Sequence, residues 1–385
     1  MRKLQAKRVR VFVRTLAVCL LTMWLVSAGV AQQATLPADV RVRMEDAVAK
    51  FMAATKAPGV ATSVVLSGQE VWSEGFGMAD LENNVPVTPQ TLFRLASVSK
   101  PITAVAAMEL WERHQLDLDA PVQKYCPAFP QKEFPISTRQ VLGHLGGIRH
   151  YHSDSDDDIE VSNTKHFEDP IAGGLQFFAN DPLVAKPGTK FRYSTHGFTL
   201  VGCAIEGASS RKYVDFVRDN VFVPAGMTHT RWDDHFSIIP YRTQFYSKSK
   251  SGEVRNAGFL DASYKIPGGG WLSSADDMAK FEIAVLSDHL IQRSTRDVMW
   301  TAQTPAPEGS EKDHRGYGIG WGTGMVNGVA VYEHSGGQQG TSTLIMLAPE
   351  RNSGVVVLIN MDNVDAPELG TNLMRTLLSP VPSDP

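Results

Sequence analysis

The chain has 385 residues, 43% of them hydrophobic and 20% charged, with 37 Lys and Arg against 41 Asp and Glu. That balance excludes a disordered, collagenous or multi-span membrane protein, and the length permits a sizeable core without staples. Three cysteines are too few for a disulfide scaffold, and two or three domains, or two interleaved ones, are expected.

The first 14 residues carry Arg2, Lys3, Lys7, Arg8, Arg10 and Arg14 and no acid, and an apolar run follows over 16–30. Gly29 and Ala31 then supply small residues in a −3 and −1 pattern. Residues 1–31 therefore read as a signal peptide cleaved after Ala31, which implies a periplasmic or extracellular protein. The alternative is an uncleaved membrane anchor, the one route to membrane contact that the sequence offers. No Arg-Arg pair marks a twin-arginine signal. Without the leader, 31 Lys and Arg face 41 Asp and Glu, a net charge of −10. Such a chain repels polyanions, so no nucleic-acid partner is expected. Cys19 leaves with the leader. Cys126 sits beside Pro127, and Cys203 lies in an apolar helical run. Export would permit a disulfide, but neither spacing nor motif pairs the two, and separate buried thiols are the expectation.

Residues 38–56 have Val40, Met44, Val48, Phe51 and Met52 on one helical stripe. Strands are expected at 60–66 and 70–76 around the turn Ser67-Gly68-Gln69. A helix over 98–114 presents Ile102, Val105, Ala106 and Leu110 on one face. Residues 116–264 are rich in Pro, Asp, Ser and Gly, with short helices. Gly268-Gly269-Gly270 then leads to a Ser-x-x-Asp cap within 273–277, opening a helix to about Leu286. Strand-like runs recur at 330–333, 342–347 and 354–359, with Tyr317 to Trp321 as a further strand edge. The last helix covers about 366–378, with Pro367 in its first turn. Short gaps between these strands favour antiparallel hairpins.

The expected fold is thus α+β. One antiparallel sheet comes from 38–115 and 265–378 and is flanked by the N- and C-terminal helices. Residues 116–264 are inserted as a mostly helical lobe, and 379–385 form a frayed tail. No internal repeat is evident.

Ser97-Val98-Ser99-Lys100 places a hydroxyl and an amine three residues apart, on one helical face. The first turn adds free N–H groups and positive potential, and a buried lysine loses its proton readily and serves as a base. The tetrapeptide is weak by itself. It recurs at Ser162, Ser209 and Ser247, where a surface Ser and Lys is the simpler reading. Only Ser97 precedes a long apolar helix with a proline in its first turn. Tyr193-Ser194-Thr195 follows Lys186-Pro187-Gly188 on a loop; Tyr193 is either a proton relay to Lys100 or a core tyrosine. His334-Ser335-Gly336-Gly337 is expected to end a strand and begin a turn. Its glycines would let a substrate lie along a strand edge, with a backbone N–H completing an oxyanion hole. The plain alternative is a hairpin turn, and His-x-Gly also occurs at His144-Leu145-Gly146.

In this order the three motifs resemble the serine β-lactamase and penicillin-binding-protein superfamily, whose Ser-x-x-Lys is a signature. Within it the chain looks like the class C-like branch, and there like the mitochondrial serine β-lactamase-like group and its bacterial relatives. The stretches that carry this are FRLASVSK (93–100), LDLDAPVQKYCPAFP (116–130), GHLGGIRHY (143–151), NDPLVAKPG (180–188), YSTHGFTLVG (193–202), GGGWLSS (268–274) and HSGGQQG (334–340). The resemblance covers about 40–378. It implies a β-lactamase/transpeptidase-like fold and an exported serine hydrolase acting on a small-molecule or peptide acyl substrate. Ser97 would be the acylated nucleophile and Lys100 its base or proton shuttle. Tyr193 would assist leaving-group protonation and water activation, and the N–H groups of Ser97 and Gly337 would form the oxyanion hole. His334 would stand where many members carry a lysine that holds a substrate carboxylate, with Ser335, Gly336 and Thr195 along the substrate. Thr195 replaces a common Asn, and His334 turns a fixed charge into a pH-dependent one. Both departures weaken the expectation of β-lactam hydrolysis and leave acyl transfer on peptides, esters and amides intact. A true class C-like β-lactamase and a filament-forming scaffold that keeps the fold are the alternatives.

No cofactor and no metal are expected, since no phosphate-binding glycine loop or dinucleotide fingerprint is evident. His144, His150 and His152 lie near Asp154, Asp156, Asp157 and Asp158, a spacing that mimics a calcium loop. Ile159 and Lys165 stand where that loop needs its Gly and Glu, so a solvated loop rimming the cleft is expected. Trp271 and Phe93 read as packing residues.

Overall fold

The computed structural model describes residues 35–152, 160–305 and 314–379. The leader, Asp154 to Ile159 of the acidic segment and the tail from 380 fall outside them. Among the described residues nine strands form one sheet. They are β1 (Gly59–Leu66), β2 (Gln69–Asp80), β3 (Val85–Pro86), β4 (Thr304–Pro305), β5 (His314–Tyr317), β6 (Gly322–Val326), β7 (Val329–Gln338), β8 (Thr341–Ala348) and β9 (Ser353–Ile359). Their order is β3-β2-β1-β9-β8-β7-β6-β5-β4, and every neighbouring pair is antiparallel. The N-terminal hairpin β1–β2 joins the C-terminal strand β9, in register from Val60 opposite Ile359 to Val65 opposite Gly354.

Strand side chains alternate between faces, and here both faces are covered. Five helices matter most: α1 (Ala38–Thr55), α2 (Ser99–Glu112), α3 (Thr195–Ser209), α4 (Ala275–Leu286) and α5 (Ala366–Leu378). On one face Val355, Val357 and Ile359 of β9, with Leu344 and Met346 of β8, join Met44 and Val48 of α1 and Leu369 and Leu373 of α5. On the other, Val356 and Leu358 of β9, with Ile345 and Leu347 of β8, join residues of α2, α3 and α4, among them Ile102, Phe198 and Phe281. The central strands therefore read as continuous apolar runs. Each buried aliphatic side chain contributes about 1.5–3 kcal/mol of transfer free energy.

Caps set the helix starts. Ser274 Oγ accepts the Asp277 N–H to open α4, and the Asp365 carboxylate accepts the Glu368 N–H to open α5, with Pro367 in its first turn. A small sheet of Phe93–Arg94, Trp271–Ser273 and Arg231–Trp232 ties the start of α2 to the segment before α4.

Four local expectations are corrected. Helix α2 is not amphipathic: Ser99 to Leu110 are all buried, because it lies inside the second core with packing on every side. The His334-Ser335-Gly336-Gly337 motif lies within β7, paired with Ser342 to Ile345 of β8; the chain turns after it, at Gly340, whose φ is +72°. The ladder of β5 stops at Tyr317, and Gly318 N–H donates to Trp321 O at 2.8 Å to close a turn before β6. Cys126 and Cys203 are joined in a disulfide with Cα atoms 5.4 Å apart. Neither spacing nor motif announced the pair, since folding alone brings residues 77 apart together.

A cross-link over that separation removes loop-closure entropy from the unfolded chain. The Cys126→Ala/Cys203→Ala double variant is therefore expected to lose about 2–4 kcal/mol of stability. Thermal melting of the two proteins checks this; equal melting temperatures would contradict the link.

Candidate active site

Ser97 stands on a sharp turn between strand Phe93–Arg94 and α2. Leu95 N–H donates to Trp271 O at 2.9 Å, and Ala96 then adopts φ +46°. This left-handed geometry costs an L-residue about 1–2 kcal/mol, so the surroundings must hold it. Thr341 Oγ1 and Thr343 Oγ1 of β8 donate to the carbonyls of Arg94 and Leu95 at 2.9 and 2.8 Å. The Arg94 guanidinium, itself buried, pairs with Asp233 at 2.6 Å and donates to Gln339 O and Leu260 O. A 3₁₀ turn, Ala96–Val98, leads into α2 and presents the Ser97 hydroxyl to a cleft of about 420 Å³.

Lys100, one helical turn on, is fully buried. Its Nζ lies 2.9 Å from Ser97 Oγ, 3.2 Å from Thr195 Oγ1 and 2.8 Å from Gly268 O. Burial first, then the charge of Lys265, holds its pKa well below the usual lysine value. Nζ donates to all three oxygens. On loss of its proton the amine keeps two N–H groups for Gly268 O and Thr195 Oγ1 and gains a lone pair that can accept the Ser97 hydroxyl. Tyr193 O–H donates to Ser97 Oγ at 2.7 Å. Burial pushes the Tyr193 pKa up, so it stays a phenol and a donor at neutral pH.

The loop bearing Tyr193 is set by two histidines. Ser194 N–H donates to His144 Nδ1 at 3.1 Å and Thr195 N–H to His150 Nδ1 at 3.3 Å. Each imidazole must then be unprotonated at Nδ1. Burial accordingly drives His144 well below its usual pKa and His150 to about 3. Ser194 Oγ caps α3 by accepting the Gly197 N–H and donates to Arg149 O.

Gly337 lines the cleft beside Ser97. At Gly336 a Cβ would stand 2.4 Å from Leu95 O and 3.0 Å from Ser97 N, so only glycine lets β7 approach the Ser97 turn this closely. Ser335 is exposed. His334 is buried and outside the cleft lining. Its Nδ1–H donates to Ser335 O at 2.6 Å and its Nε2 accepts from Tyr317 O–H at 3.0 Å. Burial, then Lys100, lowers its pKa to about 3. The ring is therefore neutral, in contrast to the pH-dependent charge expected from the sequence.

The structure thus brings Ser97, Lys100, Tyr193, Thr195 and Gly337 together and sets His334 behind them. Sequence reasoning missed the Gly268 carbonyl, the support from Thr341 and Thr343, and Lys265, which lines the cleft. A lysine directly before Ile266-Pro267-Gly268-Gly269-Gly270 was the available signal for the last. His144 and His150 serve the backbone of the Tyr193 loop, and among the described residues no group of three or more His, Cys, Asp or Glu could hold a metal.

A Cβ at residue 268 would stand 2.7 Å from Thr195 Cγ2 and 3.0 Å from Thr195 O. Gly268→Ala is expected to push Thr195 and the 268 carbonyl off Lys100, costing about 1–3 kcal/mol of stability. It should also lower turnover of a neutral ester at least tenfold, since a misplacement of about 1 Å costs up to about a hundredfold. Melting and ester kinetics on the variant check both.

A family model described as Beta-lactamase matches residues 44–377. The mitochondrial serine beta-lactamase-like protein LACTB of Homo sapiens is 32% identical, over 76% of this chain and 69% of its own length. Among solved structures, the octameric penicillin-binding protein homologue from Pyrococcus abyssi superposes with a TM-score of 0.77 at 26% identity, covering 88% of this chain and 77% of that one. The D-amino acid amidase from Ochrobactrum anthropi SV3 shares the fold, with a TM-score of 0.76 at 20% identity, covering 88% of this chain and 99% of that one. Taken with the fold and the Ser97 geometry, these matches show that the chain belongs to the β-lactamase family, within the serine β-lactamase and penicillin-binding-protein superfamily.

Proposed function

We propose that the protein is an exported serine hydrolase that forms an acyl-enzyme at Ser97 and hydrolyses peptide, amide or ester acyl substrates. The observation that carries this is the pair of contacts on Ser97 Oγ, from Lys100 at 2.9 Å and Tyr193 at 2.7 Å. Lys100, held neutral by burial, takes the hydroxyl proton as Oγ bonds to the acyl carbon. The N–H groups of Ser97 and Gly337 receive the developing oxyanion. The proton then passes to the departing alcohol or amine, with the Tyr193 phenol as its donor or relay. Water, deprotonated by the same pair, cleaves the acyl-enzyme and releases the acid and free Ser97. Because burial raises the Tyr193 pKa, Lys100 rather than Tyr193 is the acylation base.

Thr195 has no amide to offer a β-lactam side chain, and its hydroxyl is engaged by Lys100. With His334 neutral as well, peptides, amides and esters are the better-fitting substrates. Export is supported by the basic and then apolar run over 1–31 and by the Cys126–Cys203 disulfide.

Intact mass after treatment with a fluorophosphonate, and separately with a penicillin, tests the reading. A single fluorophosphonate adduct on the wild type, absent in Ser97→Ala, is expected. No adduct on folded wild type would sink the hydrolase and favour a scaffold. Hydrolysed penicillin without an adduct would mark a true β-lactamase. Lys100→Ala is expected to slow Ser97 acylation by about 10²–10⁴-fold, the usual contribution of a general base.

The pH profile follows from the same shifts. The base works unprotonated, so kcat/KM on a neutral ester rises with pH through the lowered pKa of Lys100 and then levels off. Tyr193, with its pKa raised, adds no alkaline decline near neutrality. A profile that falls between neutral and mildly alkaline pH would contradict these roles.

A further inference from the structure

Lys265 takes no part in the acyl-transfer steps, yet it lines the same cleft as Ser97. It ends the 3₁₀ turn Ser263–Lys265 and is only 3% exposed. Its Nζ stands 5.5 Å from the Tyr151 ring centroid and 5.3 Å from that of Tyr264. The Tyr264 hydroxyl donates to Glu160 O, which fixes that side of the turn. Among the described residues no carboxylate pairs with Lys265 and no acceptor lies within hydrogen-bond distance of its Nζ.

Such a cation needs an explanation, because a buried ammonium is normally paired. The other buried basic groups around the site obey that rule. Arg94 has Asp233, Arg149 has Glu160 and Asp181, and Lys100 has three oxygen neighbours. Burial, and then repulsion from Arg94, brings Lys265 down to about pH 7, a mark of the missing partner. The acid in the cleft lining, Asp362, is already engaged: it accepts the Gly340 N–H at 2.9 Å and the Asn363 amide at 3.0 Å. His150 and His334 are neutral. On the facing strand the Gln338 amide nitrogen is buried without an acceptor, and Gln338 lines the same cleft. Lys265 and Gln338 therefore line one cleft with Ser97, and among the described residues no carboxylate there is left to pair with the ammonium.

We propose that Lys265 is the specificity-determining cation of this cleft and that it selects acyl substrates carrying a carboxylate. The inference rests on the acyl-enzyme reading above and adds the substrate's charge to it. Anion recognition then sits on the turn before Ile266 and not at position 334.

The test compares mono-p-nitrophenyl adipate with its methyl ester, which differ only in the free carboxylate. The wild type is expected to favour the acid in kcat/KM by at least about tenfold, mainly through KM, as befits a charged hydrogen bond. Lys265→Met should reduce that ratio to about one, and Lys265→Arg should keep most of it. A wild-type ratio near one, or an unchanged ratio in Lys265→Met, overturns the proposal. A second measurement needs neither turnover nor a Lys265 variant. In calorimetric titration, Ser97→Ala should bind monomethyl adipate at least tenfold more tightly than dimethyl adipate, and equal affinities overturn the proposal. Failure of Ser97 to form an adduct, with this binding preference intact, would instead count against the acyl-enzyme reading alone.

Discussion

The site depends on an amine kept dry. Lys100 lies on a helix that is buried all round, and in water its charge would make it useless as a base near neutral pH. Removal from solvent penalises the ammonium, and the neutral form then has a match for every hydrogen and for its lone pair. The three partners come from separate parts of the chain: the 3₁₀ turn before α2, the start of α3 and the glycine turn before Trp271. The two cores that sandwich the sheet hold those parts in register. The environment of Lys100 is thus a product of packing as much as of its own chemistry.

Close backbone approach is the second requirement. Gly336 lets β7 press against the Ser97 turn, and Gly268 lets its carbonyl reach Lys100 past Thr195. The strained φ of Ala96 is held by two threonines on β8 that donate to the carbonyls before it. The strand that carries Gly337 and the strand bracing the Ser97 turn are hydrogen-bonded neighbours. The rigidity of the sheet is therefore transmitted directly to the Ser97 hydroxyl, as the preorganised site proposed above requires.

The electrostatics around Ser97 are quiet by construction. His144, His150 and His334 all sit near a lysine amine, and all are held neutral. Two of them serve as acceptors for backbone N–H groups and so build the Tyr193 loop. The third is tied to Tyr317. Lys265 stands apart from them, because its position in the cleft comes without a counter-charge among the described residues.

By itself the sequence determined the strand-like runs at both chain ends, the capped start of α4 and the three motifs around Ser97, Tyr193 and His334. All of these are local patterns: short apolar runs bounded by turns, a capping serine, a glycine pair, residues three apart on one helical face. Tertiary structure alone decided what joins distant segments. The Cys126–Cys203 link, the neutrality of His334, the extension of β7 through its glycines and the burial of Lys265 all depend on which surfaces meet. The physical reason is that a side chain's charge and partners follow from its burial. Burial of a mid-chain lysine or histidine is set by neighbours from other segments, as far as 168 residues away for Lys100, which no local spacing encodes.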